Sequence, residues 1–361
     1  TKYQPTDQEA VVSLERSRVK TQALFDELTG KSNIPANQLA HEINAGVRAV
    51  VAMAKLGGVA LTHGSAFATK AAELRYQRAG WLERTTDGFT SLAKGRGKGE
   101  LRDLYDELLA GLQGQHGNIM ARFNSDDSPS GTLGKLSTKF FHLSGLTWLV
   151  DVEKAGTAAK MARILGRQVD RDFPSLQHET QRALTSYDIS PAEWDILRHA
   201  PDHTAVDGRG YLTPQAALRS TASLTLAARD ALALKLHTYI SDVADRGIIT
   251  PGISERALLR GGAPGSVGGE ARRYMAQFKT WPTAALRQGM GRELYGGQGV
   301  GGAISGMVQL ALSTYVMGYA VMSLKDLAKG QPPRNPPDPR TVMAAMIQGG
   351  GHGILPALLF G

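Results

Sequence analysis

The sequence of 361 residues contains no cysteine. Disulfide frameworks and cysteine-based zinc sites are therefore excluded, and the chain can move between reducing and oxidising compartments without a change in its covalent structure. Aromatic residues make up only 6% of the chain and are not interleaved with its basic residues, so a stacking platform for single-stranded nucleic acid is not indicated. Runs of alternating apolar and polar residues are too short to predict a β-sheet.

Recognisable catalytic motifs are absent from the sequence as well. His41 and Glu42 could open a zinc-protease helix, but that motif needs a second histidine where the chain has Ala45. No Gly-x-Ser-x-Gly nucleophile motif occurs, and nothing matches the acidic residue of lytic transglycosylases. We therefore predict that the chain is not an enzyme and that it binds no cofactor.

Metal and phosphate motifs are incomplete. The nine histidines are scattered, and the densest polar cluster combines His199 and His203 with Asp202 and Asp207. Such a cluster could bind a cation, but a solvated loop is the commoner explanation. Segment 94–99 lacks the spaced first glycine and the Ser or Thr of a phosphate loop. We predict no metal site, and a flexible basic loop at 94–99.

Glycine and positive charge are what the chain has in excess. Its 42 glycines are roughly 12% of the residues, against about 7% in an average protein. Small residues on helix faces allow close helix packing. The formal charge of +8 and the isoelectric point near 9.6 suit contact with DNA or an anionic membrane, although a solvated basic surface is the commoner meaning.

Helix signals recur along the chain and predict an all-α, multi-helix fold with glycine- and alanine-rich packing faces and long helices. Capping boxes begin at Thr6 and at Ser190, where Pro191 and Glu193 complete the motif. Pro214 and Pro339 follow further cap residues. Apolar residues at helical spacing predict a helix from about residue 8 to Leu28 that stops near Gly30, and long helices over 101–113 and 216–246.

Loops are predicted at 124–134, 201–213, 261–269 and 331–339. The last of these contains five prolines, so it should be a stiff connector. The loops suggest four regions: an N-terminal helical region (1–124), a middle helical region (125–212), a long-helix region (213–330), and a connector with an apolar C-terminal segment (331–361).

Two segments carry no charged residue, 295–324 and 341–361. The first exceeds the roughly 20 residues that cross a bilayer. Its candidate membrane or helix-packing residues are Gly302, Gly306, Val316 and Gly318, of which Gly302 and Gly306 have the spacing of packed membrane helices. The alternative is that both segments are buried helices of a large soluble assembly. A third apolar stretch, 47–62, contains charges and two glycines, and we interpret it as ordinary core.

Basic residues cluster in a few places that could contact the phosphates of double-stranded DNA without reading its sequence. Segment 163–171 is one of them, and solvated helix faces are the alternative for all. The remaining candidate DNA-contacting residues are Lys94, Arg96, Lys98, Arg102, Arg272, Arg273 and Lys279.

Several phrases of the chain resemble the large internal virion proteins of short-tailed bacteriophages and related prophages, also called ejection or core proteins. They are AKLGG at 54–58, KAAELRY at 70–76, GLTW at 145–148, QFKTWP at 277–282, LKDLAKG at 324–330 and QGGGHGI at 348–354. Each phrase alone is a packing or capping pattern. Their serial order carries the resemblance, which covers most of the chain.

The resemblance implies that the chain is a segment of a longer polypeptide, stored in the virion interior and later placed in the host periplasm and envelope. It would help to form the conduit for DNA passage. The implied partners are copies of itself, other ejection proteins, the portal, non-specific double-stranded DNA and the host inner membrane. Peptidoglycan cleavage, frequent in such proteins, would lie outside these residues. A basic, DNA-contacting core protein with no membrane role is the alternative.

Overall fold

A computed structural model describes most of the chain. The described residues are 8–56, 65–77, 100–109, 131–200, 204–206, 209–249, 251–259, 262–277, 279–284, 287–288 and 299–348. The Thr6 capping box and the residues Lys94, Arg96, Lys98, Asp202, His203 and Asp207 lie outside this part, and so does most of the segment 341–361.

The described part is built of helices, which confirms the predicted all-α class. Its first half contains α1 (Gln8–Leu28), α2 (Gln38–Leu56), α3 (Ser65–Tyr76), α4 (Glu100–Leu109), α5 (Gly131–Leu143), α6 (Leu146–Gly166), α7 (His178–Ser186) and α8 (Pro191–Arg198). Its second half contains α9 (Gln215–Arg219), α10 (Leu226–Gly247), α11 (Ile253–Leu259), α12 (Val267–Ala276), α13 (Thr280–Ala284), α14 (Gly299–Ala328) and α15 (Pro339–Gln348). Short 3₁₀ turns occupy Lys31–Asn33 and Phe173–Ser175.

A small antiparallel hairpin interrupts the helices where we predict a loop. Strands β1 (Thr204–Val206) and β2 (Arg209–Tyr211) pair with each other, with Ala205 opposite Gly210. The next residue, Leu212, donates its amide to the carbonyl of Ala162 at 2.9 Å and ties the hairpin to α6. A Cβ added to Gly166 would lie 2.5 Å from the carbonyl oxygen of Gly210, so α6 needs glycine at this close approach.

The main core lies between α6 and α10, which pack against each other and against α4. Residues 150–166 of α6 are mostly buried, and they include the charged Glu153 and Lys154. The Lys154 ammonium is paired with Asp245 of α10 at 2.6 Å, as a buried charge requires. Trp194 of α8 is fully buried at the edge of this core, and its indole donates to the carbonyl of Arg171 at 3.0 Å.

The predicted capping box at Ser190 is confirmed. The hydroxyl of Ser190 accepts from the amide of Glu193 at 3.2 Å, and the Glu193 carboxylate accepts from the Ser190 amide at 2.8 Å. Lys235 of α10 donates to the same carboxylate at 2.9 Å. Burial disfavours the charged form of Glu193, but hydrogen bonds from Ser190 and Lys235 outweigh it and hold its pKa below the usual value.

Four predictions about the limits and caps of helices are wrong. The helix predicted over 216–246 is two helices, because the chain leaves α9 at Ser220 and restarts at Thr225, whose hydroxyl accepts from the amide of Ala228. Ser and Thr side chains compete with helical backbone bonds and favour such breaks. Helix α9 follows Pro214 without a side-chain cap. Helices α5 and α12 also begin inside the loops predicted at 124–134 and 261–269.

The expectation that 47–62 is ordinary core holds only in part for α2: Ala49 and Ala52 are fully buried, and residues 57–62 lie outside the described part. Arg48 is fully buried and forms an ion pair with Glu270 of α12, whereas Val47 and Val50 are exposed. The Glu270 carboxylate also accepts from the amide of Gly265 at 2.7 Å, and the Arg48 guanidinium lies over the Tyr274 ring. The buried side of this helix thus combines alanines with a long-range ion pair, whereas Val47 and Val50 face outward.

Helices from different predicted regions pack directly on each other. α1 contacts α11, and its buried Glu27 accepts from Arg256 at 3.0 Å. α3 contacts both α10 and α14. The N-terminal region is thus joined to the long-helix region by helix packing and buried charge.

Candidate functional site

The helical hairpin of α14 and α15 is the candidate functional site, because it combines the longest apolar segment with the proline connector. α14 extends over 30 residues, which corresponds to about 45 Å. It ends at Ala328, and the positive φ of 72° at Gly330 lets the chain turn. The amides of Gly330 and Gln331 donate to the carbonyls of Leu327 and Asp326, the pair of bonds that closes a helix in the Schellman motif.

The proline connector is fixed to α14 by side chains, as a stiff connector should be. The hydroxyls of Tyr315 and Tyr319 donate to the carbonyls of Pro336 and Arg334, at 2.9 and 2.7 Å. The Arg334 guanidinium returns to the buried carboxylate of Asp326 at 3.0 Å. These bonds satisfy two backbone carbonyls of the connector, whose prolines have no backbone N–H to donate.

α15 begins at the predicted cap. The Asp338 carboxylate accepts from the amide of Thr341 at 3.0 Å and from its hydroxyl at 3.2 Å. The helix then packs along α14, and Lys325 of α14 donates to the side chain of Gln348 at 3.2 Å. The two uncharged segments of the sequence are thus joined as a helical hairpin over the residues 299–348.

Arg75 of α3 binds the hairpin to the rest of the protein. Its guanidinium donates to the carbonyl of Gly302 at 2.9 Å and to the hydroxyl of Ser305 at 3.2 Å. α3 packs against α14 on one side and against α10 on the other, so it lies between the hairpin and the main core. A carbonyl in the first turn of α14 thereby receives a charge-assisted hydrogen bond.

α14 has a packed ridge and an exposed ridge. Residues four positions apart form a ridge on a helix surface. The packed ridge consists of Gly306, Leu310, Thr314, Gly318, Met322 and Asp326, all buried. The exposed ridge lies two positions away along the chain and consists of Val300, Ile304, Val308, Leu312, Val316, Ala320 and Leu324.

The four predicted packing or membrane residues divide between the two ridges. Gly306 and Gly318 lie on the packed ridge, where small residues let neighbouring helices approach. Gly302 is half-buried and accepts the hydrogen bond from Arg75. Val316 lies on the exposed ridge. The sequence groups the four residues by spacing and apolarity, whereas the fold assigns Val316 to the opposite surface.

Within the described part of the chain, one helix, Gly299–Leu327, is long and apolar enough to cross a membrane. Less than a third of its most apolar stretch is buried. By length and composition alone such a helix is weak evidence for a membrane span, because core helices of soluble proteins share these properties. The exposed ridge distinguishes α14 from an ordinary core helix.

The described DNA-contact candidates differ in exposure. Arg102 is exposed and lies 3.7 Å from Asp106 on the same helix. Arg272 and Lys279 are exposed, on α12 and just before α13. Arg273 is fully buried, and its guanidinium donates to the carbonyl of Ser32 at 3.0 Å. Arg273 therefore serves internal packing, and its side chain does not face a phosphate backbone.

A buried polar network that the sequence analysis does not predict lies beside the main core. The Tyr187 hydroxyl donates to Asp242 at 2.7 Å, and its ring stacks on Tyr239 with 4.9 Å between centroids. The Tyr239 hydroxyl donates to Gln77 of α3 at 3.2 Å. Burial raises the pKa of Tyr187 to about 12, the bond to Asp242 acts in the same direction, and the charge of Arg246 opposes both.

Sequence separation explains why this network is not predicted. Tyr239 and Gln77 are 162 residues apart, and the sequence contains no local pattern that pairs them. In the part of the chain that the structure describes, no group of three or more His, Asp or Glu residues could hold a metal ion. His199 is exposed, and its Nδ1 lies 2.8 Å from the Asp195 carbonyl of its own helix.

Comparison of the chain with protein-family models, with curated proteins and with solved structures finds no match.

Proposed function

We propose that this chain is a non-enzymatic segment of a phage ejection protein, which helps to form the conduit for DNA across the host envelope. The observation that carries the proposal is the exposed apolar ridge of α14, on a hairpin that α3 joins to the helical body. Leaving such a ridge in water is costly. It therefore needs a partner surface in the virion or in the envelope.

The hairpin suits a conditional location. Its glycines and glutamines make it a mediocre permanent membrane anchor, while its length and lack of charge make it costly to leave in water. In the proposed function it packs within the assembly in the virion and becomes membrane-facing or tunnel-lining after ejection. The absence of cysteine supports this, because passage between redox compartments leaves the fold covalently unchanged. The serial resemblance to internal virion proteins supplies the phage context.

Phage particles that carry a Gly306→Arg chain provide the test. Gly306 is buried on the packed ridge, so an arginine there would separate the packed helices, and overpacking costs about 1–3 kcal/mol or more. At a bilayer centre the same charge costs about 2.5–3.5 kcal/mol. We expect fewer assembled particles or a loss of DNA delivery. Gln331→Arg, in the exposed connector, is the matched control and should behave as wild type.

Normal assembly and normal DNA delivery by the Gly306→Arg particles would contradict the proposal. A second readout is flotation of the purified chain with anionic liposomes. Cysteines placed at Val316 and Ala320 should become protected from water-soluble thiol reagents when liposomes are added. Continued full reactivity of both would exclude the membrane-facing location.

A DNA-contacting core protein is the alternative function. The net charge of +8 and the exposed Arg272 and Lys279 favour it. The logarithm of the DNA association constant should then fall linearly with the logarithm of the salt concentration. Arg272→Ala should reduce the steepness of that slope by about one. Arg273→Ala should leave the slope unchanged in the folded protein because this side chain is buried. Strong, salt-dependent DNA binding without liposome flotation would favour the alternative.

A further inference from the structure

The hairpin is attached to the rest of the protein through one helix. Among the described residues, α14 packs extensively only on α3 and α15, and α15 packs extensively only on α14. α3 in turn packs on α10, which belongs to the body of the protein, that is α4, α6, α7, α8 and α10. The body, α3 and the hairpin therefore form a series with α3 in the middle. A separation on either side of α3 would free the hairpin.

The interface between α3 and the body is rich in buried polar groups. Lys70, Glu73 and Gln77, on α3 and at its end, are buried together with the apolar Ala71 and Leu74. Two polar contacts cross this α3–body interface. The Tyr239 hydroxyl of α10 donates to the Gln77 side chain at 3.2 Å. The Arg182 guanidinium of α7 donates to the Tyr76 hydroxyl and lies over the Tyr76 ring, 5.5 Å from its centroid.

Arg246 of α10 adds charge to this interface. Its half-buried guanidinium lies 3.4 Å from the Asp242 carboxylate on the same helix. Burial opposes the charged form of Arg246, but its interactions with Tyr187, with Glu73 of α3 and with Asp242 hold its pKa above the usual value. The helices α3, α7 and α10 therefore meet around charged and hydroxyl groups.

A polar interface opens at a lower cost than an apolar interface of equal area. Its hydrogen bonds are exchanged for bonds to water, so each contributes little net free energy, whereas apolar surface has no such exchange. Of the α3 side chains that the structure describes, only Leu74 belongs to the main core cluster. The contact between α6 and α10 is built differently, with Met161 and Leu165 on α6 and Leu236 and Ile240 on α10 all buried in that cluster.

We propose that α3, α14 and α15 leave the body together when the α3–body interface opens, while the core of α6 and α10 stays folded. Arg75 holds α3 to the first turn of α14, through the carbonyl of Gly302 and the hydroxyl of Ser305. The hairpin therefore moves with α3 as its arm. Partial opening of such units, below the cost of global unfolding, is general in folded proteins. The device goes beyond the proposed function, since it gives the hairpin a second position in the isolated chain whatever its role.

Thiol labelling of buried cysteines measures this opening, because the natural chain contains no cysteine. In the full chain, Leu74→Cys reports the α3–body interface, Leu310→Cys reports the packed ridge of α14, and Leu165→Cys reports the core at α6. All three leucines are at most 8% exposed, so the same substitution is made at matched burial. When labelling is slow relative to closing, its rate follows the open population. Leu74→Cys should be labelled at least about tenfold faster than the other two.

Second substitutions identify which contacts are lost in the open state. Tyr239→Phe keeps the ring but removes the hydroxyl that bonds Gln77. It should accelerate the labelling of Leu74→Cys about fivefold, the effect of one hydrogen bond on an equilibrium. Arg75→Ala should leave the labelling rate of Leu74→Cys unchanged, because the bond from Arg75 to α14 persists in the open state.

Ser190→Ala is the control for global unfolding. It removes the cap of α8, which lies within the body and does not cross the α3–body interface. The labelling of Leu165→Cys should therefore accelerate about fivefold, while that of Leu74→Cys stays unchanged. Circular dichroism should show that every variant is helical. If Leu74→Cys does not fold, Ala71→Cys, also buried on α3, takes its place.

Three results would overturn the proposal. Equal labelling of the three cysteine variants would mean that the chain opens only by global unfolding. Faster labelling of Leu310→Cys than of Leu74→Cys would place the opening between α3 and the hairpin. Acceleration of Leu74→Cys labelling by Arg75→Ala would show that α3 unfolds by itself and loses the hairpin. These measurements need neither DNA nor a membrane, so their failure is distinct from normal DNA delivery by the Gly306→Arg particles, which would contradict the proposed function.

Discussion

The guanidinium of Arg75 donates to the carbonyl of Gly302 at 2.9 Å, across 227 residues of sequence. This bond connects α3, which packs on the main core through α10, to the first turn of the apolar hairpin. α3 also packs directly against α14. The half-buried arginine therefore adds a charge-assisted hydrogen bond to the helix packing that attaches the hairpin to the body.

Arg75→Ala should loosen the N-terminal half of α14. Hydrogen bonds to charged groups contribute about 1.5–3 kcal/mol, so local opening should become easier by roughly that amount. Amide hydrogen exchange of residues 302–310 should accelerate, while exchange in α15 and α10 stays near wild type. Arg102→Ala, which removes an exposed arginine, is the control and should leave the exchange of α14 unchanged. Unchanged exchange in the Arg75→Ala chain would contradict the attachment.

Ser190→Ala should lower the free energy of unfolding by about 1 kcal/mol, because it removes the side-chain cap of α8. Urea denaturation measures this change. Ser186→Ala is a suitable comparison, since the Ser186 hydroxyl bonds within its own helix to the Arg182 carbonyl, and its loss should cost less than about 0.5 kcal/mol. Equal effects of the two substitutions would show that the cap stabilises the protein no more than the intrahelical hydrogen bond of Ser186.

Arg48→Met should destabilise the protein by about 3–5 kcal/mol, because it leaves the buried carboxylate of Glu270 without its cation. The double variant Arg48→Met/Glu270→Gln should be more stable than the sum of the single effects predicts, since the buried charge is removed with its partner. Denaturant titration of all four proteins measures this coupling. Arg272→Met changes an exposed arginine and is the control, which should alter the free energy of unfolding by less than about 0.5 kcal/mol. Additive effects of the substitutions at Arg48 and Glu270 would contradict the buried pair.

Tyr187 should make the protein less stable at alkaline pH. Its pKa of about 12 in the folded protein exceeds the value of about 10 in the unfolded chain, so the folded state keeps a proton that the unfolded state loses. The contribution is complete below pH 10 and is lost as the pH rises from 10 towards 12. Over this pH range, the midpoint temperature of thermal unfolding should fall less steeply for Tyr187→Phe than for wild type. An identical decline would exclude a raised pKa at this tyrosine.

Local chemistry accounts for what the sequence predicts correctly. The cap at Ser190, the cap at Asp338 and the proline connector each depend on residues within a few positions of one another. Apolar spacing continues through the helix break within 216–246, so the pattern predicts one helix where the chain has two. Thr225 starts a new helix there, and a periodic pattern does not reveal which hydroxyl will act as a cap.

The sequence predicts the composition of the candidate site, but not which faces of its helices are buried. Lack of charge identifies the segment that contains most of α14, and its glycines indicate close packing. The packed ridge is more polar than the exposed one, with Thr314 and Asp326 buried, so apolar periodicity could not show that Gly306 is buried and Val316 exposed. Arg75 could not be identified as the residue that binds the hairpin, because no local sequence pattern pairs it with Gly302.

The sequence by itself determined that the chain is helical, where several helices are capped, and that two uncharged segments flank a rigid connector. These properties depend on backbone preferences and on side chains a few residues apart, which act before the chain is folded. Only the tertiary structure decided which face of each helix is buried. α14 packs against α3 and α15 and leaves the ridge of Val316 exposed. On α2, Arg48 is buried in a pair with Glu270, 222 residues away in sequence, while Val47 and Val50 are exposed. A buried charge must find its partner wherever the fold places it, since burial without one costs several kcal/mol.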